Sequence, residues 1–261
     1  MPRNSCVLIF AGLALACVLF SVPVRSDDVA DVGRKLVAKY EKAIVTVQIS
    51  AKTTFSSEGR PPMIEENKTE ATGLILDPSG LLVMPLSQTT YEGRYGEMMQ
   101  DNQEDMNVSS EITDLKVLVN GGKQILYKIV LRDKDLDLAF LRPADKLDKP
   151  LPAMDLSKSS KVAMLDQVIV INRLGITGGR TITALAVRIQ GIVEKPRNFY
   201  LSGGTALGSV AFAMDGNPVG IVVVRVVPSA RSAGTSPIIP IIIPASDVME
   251  VAKQAPATAA Q

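Results

Sequence analysis

The sequence predicts an all-β protein, a barrel or sandwich with one short helix at each end. Three observations carry this. Short runs rich in β-branched residues follow one another; turn signals such as Asp77-Pro-Ser-Gly80, Asn120-Gly-Gly122 and Asp215-Gly-Asn-Pro218 separate them; helical periodicity is confined to the two ends.

In chain order, Arg3 is followed by the apolar run VLIFAGLALACVLF and then SVPVRS, the order of a secretory signal, so residues 1–26 are set aside from the fold. The apolar run is shorter than the about 20 residues of a comfortable membrane span. Export to the periplasm or the exterior is expected, with an uncleaved N-terminal anchor as the alternative. Cys6 and Cys17 both lie in this segment, so a processed chain has no thiol for a disulfide, a metal or a nucleophile.

Residues 27–42, DDVADVGRKLVAKYEK, place Val29, Val32, Leu36, Val37 and Tyr40 at three- and four-residue spacings behind an acidic start, which predicts an amphipathic helix. The period then shortens. AIVTVQIS, TGLILD, GLLVMP, DLKVLVN, QILYKIVLRD and DLAFLRP read as strands of a first half, residues 27–145 with the helix. Residues 52–70 and 88–112 are polar and weakly patterned, which predicts long surface loops. Both hold a glycosylation sequon, Asn67-Lys-Thr and Asn107-Val-Ser, and the second holds Met98, Met99 and Met106, mobile filler or an adaptable contact surface.

The proline-bearing stretch 142–160 separates two strand sets, and 146–160 is taken as a linker. KVAMLDQVIVI, TITALAVRIQGIVEK, NFYLSG, SVAFAMD, PVGIVVVRVV and IIIP form a second half, 161–254, closed by a helix with Ser246 or Asp247 as its cap. Residues 255–261 are a tail. Gly175-Ile-Thr-Gly-Gly-Arg180 lacks the lysine and hydroxyl of a phosphate-binding loop and reads as a connection between strands.

Composition excludes whole classes of function. The 261 residues carry 28 basic against 27 acidic side chains, a net charge of +1, which offers no field to recruit nucleic acid or an anionic membrane. There is no histidine, so the usual general base for a serine nucleophile is missing. No carboxylate pair or ligand cluster calls for a metal, and no cofactor is expected.

Four stretches, taken together and in order, resemble the HtrA/Deg family of trypsin-like serine proteases. ATGLILDPSGLLVMPLSQ at 71–88 is similar to the hairpin leading to the family's histidine segment, and VNGGKQILYKIVLRDKDLDLAFLRP at 119–143 to the passage holding its aspartate. LGSVAFAMDGNPVGIVV at 207–223 is similar to the nucleophile loop and following strand, and IIIPASDVMEVAKQ to the closing strand and helix. The resemblance spans roughly 29–254 and implies two six-stranded antiparallel barrels, a trypsin-like double β-barrel, with the catalytic positions at their junction. No counterpart of the PDZ domain that many relatives carry is expected after residue 254.

Carried over position by position, the histidine falls on Ser87, the aspartate on Asp137 and the nucleophile on Leu207. A serine hydroxyl needs an adjacent base, and the aspartate's task is to orient that base. Asp137 has none to orient and is expected to hold backbone N–H groups. Ser202, in a literal Ser-Gly-Gly, and Ser209 are the alternative nucleophiles, with Lys116, Lys123 and Lys128 available as the base of a serine–lysine dyad.

The expectation is an exported HtrA-like pseudoprotease that binds extended peptide or protein segments. Two alternatives are a divergent serine endopeptidase using Ser202 or Ser209 with a non-histidine base, and a structural subunit assembling with active paralogues as a homo- or hetero-oligomer.

Overall fold

The computed structural model describes residues 28–57, 59–90, 106–119, 122–226 and 238–259. The leader with Cys6 and Cys17, together with Met98 and Met99, lies outside the described residues. The chain begins with α1 (Asp28–Tyr40) and continues through β1 (Ile44–Ser57), β2 (Met63–Ile75), β3 (Leu82–Pro85), β4 (Met106–Val119), β5 (Lys123–Asp133) and β6 (Leu138–Pro143). A second set follows: β7 (Gln167–Arg173), β8 (Ile182–Val193), β9 (Phe199–Ser202), β10 (Val210–Ala213), β11 (Pro218–Val226), β12 (Ile238–Pro244) and α2 (Ala245–Ala252).

The first six strands close in the order β1-β2-β3-β6-β5-β4 and the last six in the order β10-β11-β12-β9-β8-β7. Every pairing between them is antiparallel. The fold is therefore all-β with short terminal helices, and its two closed six-stranded barrels are compatible with a trypsin-like double barrel.

Strand alternation explains how the barrels join. On β6, Ala139 and Leu141 point into the first barrel while Leu138 and Phe140 point out of it; on β10, Ala211 lies inside the second barrel while Val210 and Phe212 point out. These outward residues meet in one shared core with Ile171, Ile221, Ile241 and Ile243. Strands buried on both faces read as unbroken apolar runs, and this is why IIIP and VAFA carry no polar alternation. The helices complete that core. Leu36 of α1 and Val248 of α2 are buried in it, and Tyr40 stacks on Phe212 with ring centroids 5.3 Å apart.

Several expectations change. Residues 52–70 are not a loop: β1 and β2 run on as a long hairpin paired from Ile44↔Leu74 to Phe55↔Met63. From residue 106 onward the second expected loop is strand β4, so Asn67 and Asn107 both lie on strands. Thr53 is the one buried side chain in the 52–70 stretch and it is polar, while Met63 to Glu66 are exposed, so no apolar alternation marks it. The 144–160 stretch has no strand, but Leu151, Met154 and Leu156 are buried, and the Leu151 and Met154 amides donate to Pro78 O and Ile75 O. That segment is a packed strap. Neither Ser246 nor Asp247 caps α2, whose N-cap is Pro244 without a side-chain bond; Ser246 Oγ bonds to Asp247 instead.

Candidate functional site

The junction between the barrels holds the residues on which the resemblance places catalysis. Pro85 ends β3, and the chain turns through a 3-10 segment, Leu86–Thr89, that carries Ser87. Asp137 precedes β6 with φ of 54°, a left-handed conformation that Asp tolerates better than most residues. That backbone turn brings the two together. The Leu86 amide donates to Asp137 O at 2.9 Å, the Ser87 amide donates to Asp137 Oδ1 at 2.5 Å, and Ser87 Oγ donates to Asp137 Oδ2 at 2.8 Å. A third donor comes from the other barrel: the Val224 amide of β11 reaches Asp137 Oδ2 at 3.1 Å.

Burial pushes the Asp137 carboxyl above the usual range, and the Ser87 amide and hydroxyl and the Val224 amide pull back only part of that rise. Its oxygens are engaged by main-chain and hydroxyl donors, and no cation among the described residues bonds to it. It is an electrostatically costly group held by neutral donors.

Leu207 is half-buried against the core of the second barrel. Its loop is tied down by main-chain bonds: the Gly208 amide donates to Val222 O at 2.8 Å, the Ser209 amide to Ala206 O at 3.3 Å, and the Val222 amide to Ser209 O at 2.9 Å. Gly208 has φ of 79°, and a Cβ there would lie 2.5 Å from Thr72 O, so only glycine fits this approach of one barrel to the other. Ser87 and Asp137 are thus in direct contact. Leu207 is linked to them along β11, where Val222 holds its loop and Val224 holds Asp137.

A cavity of about 180 Å³ opens at this junction. Thr72, Gln88, Asn172, Arg173 and Leu207 are among its lining residues, drawn from both barrels. Thr72 Oγ1 donates to Asn172 Oδ1 at 2.7 Å and lies 2.9 Å from Arg173 O. Arg173 spends its guanidinium on main-chain carbonyls, those of Glu41, Ile44 and Arg180. Burial pulls its pKa down and the charge of Glu41 offsets part of that. Beside it Arg180 from the Gly175–Arg180 connection grips Glu70 of β2, with Nη2 2.7 Å from Oε1. Sequence reasoning did not find Glu70, Arg173 or Arg180: their partners lie far along the chain, and nothing in local pattern marks them.

The alternative nucleophiles are both buried. Ser202 ends β9 and is 3% exposed, and its Oγ is buried with no hydrogen-bond partner among the described residues. Ser209 is fully buried and its Oγ donates to Ala206 O at 2.5 Å. Neither hydroxyl bonds to a lysine among the described residues. Lys116 is ion-paired with Asp114 at 2.5 Å on β4, in the first barrel.

No protein-family model and no curated protein matches the chain. No helix among the described residues is long and apolar enough to cross a membrane.

Proposed function

We propose that the chain is an exported, HtrA-like trypsin-fold pseudoprotease that binds extended peptide or protein segments at the cleft between its barrels. The observation that carries this reading is the state of Asp137: its carboxylate is occupied by Ser87 and Val224 at the position where a protease would orient an imidazole, and the chain has no histidine. Leu207 offers no nucleophilic oxygen, and a serine hydroxyl at Ser87 is far too weak a base near neutral pH. The amides of Gly208 and Ser209, which could otherwise face a developing oxyanion, are spent on carbonyls of the same barrel.

Binding needs none of these groups. β11 has β10 beside it only as far as Ile221; the 208–209 loop then takes Val222 and Asp137 takes the Val224 amide, and past those bonds the edge to Val226 has no strand neighbour among the described residues. An extended segment adds to such an edge through main-chain hydrogen bonds, with side chains reaching the adjoining cavity.

The test uses the purified chain against a fluorophosphonate probe, an unfolded protein substrate and fluorescently labelled unfolded peptides. Expected are no probe labelling, no cleavage, and saturable peptide binding that Leu207→Arg weakens. Probe labelling that disappears in Ser202→Ala or Ser209→Ala would establish the endopeptidase instead, and absence of binding to every unfolded peptide would remove the binding function.

A further inference from the structure

The polar side of the junction cavity is built by strand register. On the first barrel it belongs to two neighbouring cross-strand pairs, Thr46↔Thr72 and Gln48↔Glu70 of β1 and β2. Period-two alternation puts these side chains on the face opposite to Val45, Val47 and Ala71, which fill the first barrel, so they point outward, toward the second. Asn172 and Arg173 of β7 meet them there.

The charges on these walls are already spent. Glu70 accepts from Arg180 and from the Gln48 amide, and Arg173 gives its guanidinium to the carbonyls of Glu41, Ile44 and Arg180. What is left for an incoming group is neutral. Thr46 is 3% exposed and lines the cavity, yet its hydroxyl makes no bond among the described residues. Thr72 holds the Asn172 amide at Oδ1, and the amide nitrogen makes no bond among the described residues. A hydroxyl and an amide so placed are satisfied by water or by a ligand. The cavity, about 180 Å³, has room for about six waters, enough for a polar side chain to take their place. An apolar side chain there would strand both groups, and a charged one would lose water without meeting a free counter-charge.

We propose that this cavity reads a carboxamide: it takes one asparagine or glutamine side chain of the bound segment, whose oxygen accepts from the Asn172 amide and whose nitrogen donates to the Thr46 hydroxyl. A carboxamide carries an acceptor and a donor on one carbon, which matches that pair of wall groups. The proposal rests on the reading that the junction binds extended segments. A segment laid on the Val226 end of β11 and continued alongside Val224 comes to Val222, where the loop of the cavity-lining Leu207 is tied. One position of the segment, about four residues along, therefore faces the cavity.

Fluorescence anisotropy on the purified chain tests this, with labelled extended peptides in which each position in turn is Gln, Leu, Glu or Lys. At one position Gln should bind about tenfold more tightly than the other three. Thr46→Val, which keeps the shape of the side chain, and Asn172→Ala should each shrink that ratio to about threefold, while Thr46→Ser should hold it at about tenfold. Equal binding of Gln and Leu at every position, a preference for Leu, Glu or Lys in place of Gln, or a Gln preference that Thr46→Val leaves at full strength would overturn the proposal while peptide binding stands. Failure of every peptide to bind would overturn the reading on which it rests, and the proposal with it.

Discussion

Asp137 and Glu70 each carry a carboxylate from the first barrel onto the second, yet burial acts on them with opposite results. Asp137 is met by two amides and a hydroxyl, and desolvation wins, leaving its carboxyl above the usual range. For Glu70 desolvation is also the largest single influence. There the bonds and charge of Arg180, the Gln48 amide and the Ile176 amide together outweigh it and leave the carboxyl below the usual range. A cation makes the difference. Glu70 with Arg180 is a self-sufficient clasp, whereas Asp137 is tolerated because three donors are fixed in place by β11 and the Ser87 turn.

The sharpest way to break this comparison is Asp137→Ala. It strips three donors of their acceptor, one on the opposite barrel, and puts alanine at a positive φ. We expect a loss of about 3 kcal/mol in urea unfolding at neutral pH, in line with breaking a buried network. A loss below about 1 kcal/mol would mean that the network is slack, and that the barrels are held by their shared apolar core alone.

Arg180→Ala comes next. It leaves Glu70 with neutral donors only, as Asp137 is, so the carboxyl should move up toward the usual range. Arg180 is one-third exposed, which admits water to the broken pair, and the expected loss is about 1–2 kcal/mol. If NMR titration shows the Glu70 value unmoved, the cation is not what distinguishes the two sites.

Much of this architecture was legible in the sequence. Apolar runs such as VAFA and IIIP announce strands because they are buried on both faces, and the DLDLAFL passage places Asp137 before one of them. The long hairpin of β1 and β2 was illegible because Glu65, Glu66 and Lys68 sit in water on a sheet whose stability comes from register, as in the Lys52–Glu66 pair 3.6 Å apart. The interbarrel clasps were equally hidden. Glu70 and Arg180 are 110 residues apart, and Arg142, which bonds Asp77 on one side and Pro256 O on the other, reaches 114 residues to tie the C-terminal segment to the first barrel. Such pairs follow from topology, which local pattern does not encode.

The pH dependence of stability separates the two carboxylates by sign. Glu70 has a lowered folded value, so its contribution is present above its ordinary 4.5 and is lost as pH falls through the folded value. Asp137 has a raised folded value, so the folded chain takes up its proton first. Its contribution is complete below its ordinary 3.8 and is lost as pH rises through the folded value. In the acid range the two oppose each other. Removing Asp137 as Asp137→Asn should therefore steepen the acid loss of stability, while Glu70→Gln should flatten it. Urea midpoints measured from neutral pH into the acid range check this, and parallel slopes in both variants would count against opposite shifts.

The smallest effect compares one neutral donor at each site. Ser87 Oγ and Gln48 Nε2 both donate to a carboxylate, at 2.8 and 2.9 Å. Ser87→Ala leaves Asp137 Oδ2 with the Val224 amide alone, in a site with no cation to absorb the lost interaction, and should cost about 1–1.5 kcal/mol. Gln48→Ala leaves Glu70 its bonds to the Arg180 guanidinium and the Ile176 amide, and Gln48 is half-buried, so water replaces the amide and the cost should be about 0.5 kcal/mol. The ordering matters more than either value. Were Gln48→Ala the costlier change, hydrogen-bond geometry and not charge compensation would set how each carboxylate is held. Asp137 would then stand as a free acceptor that an incoming basic group could occupy. The predicted order keeps it closed, locked by Ser87 into the seam between the barrels.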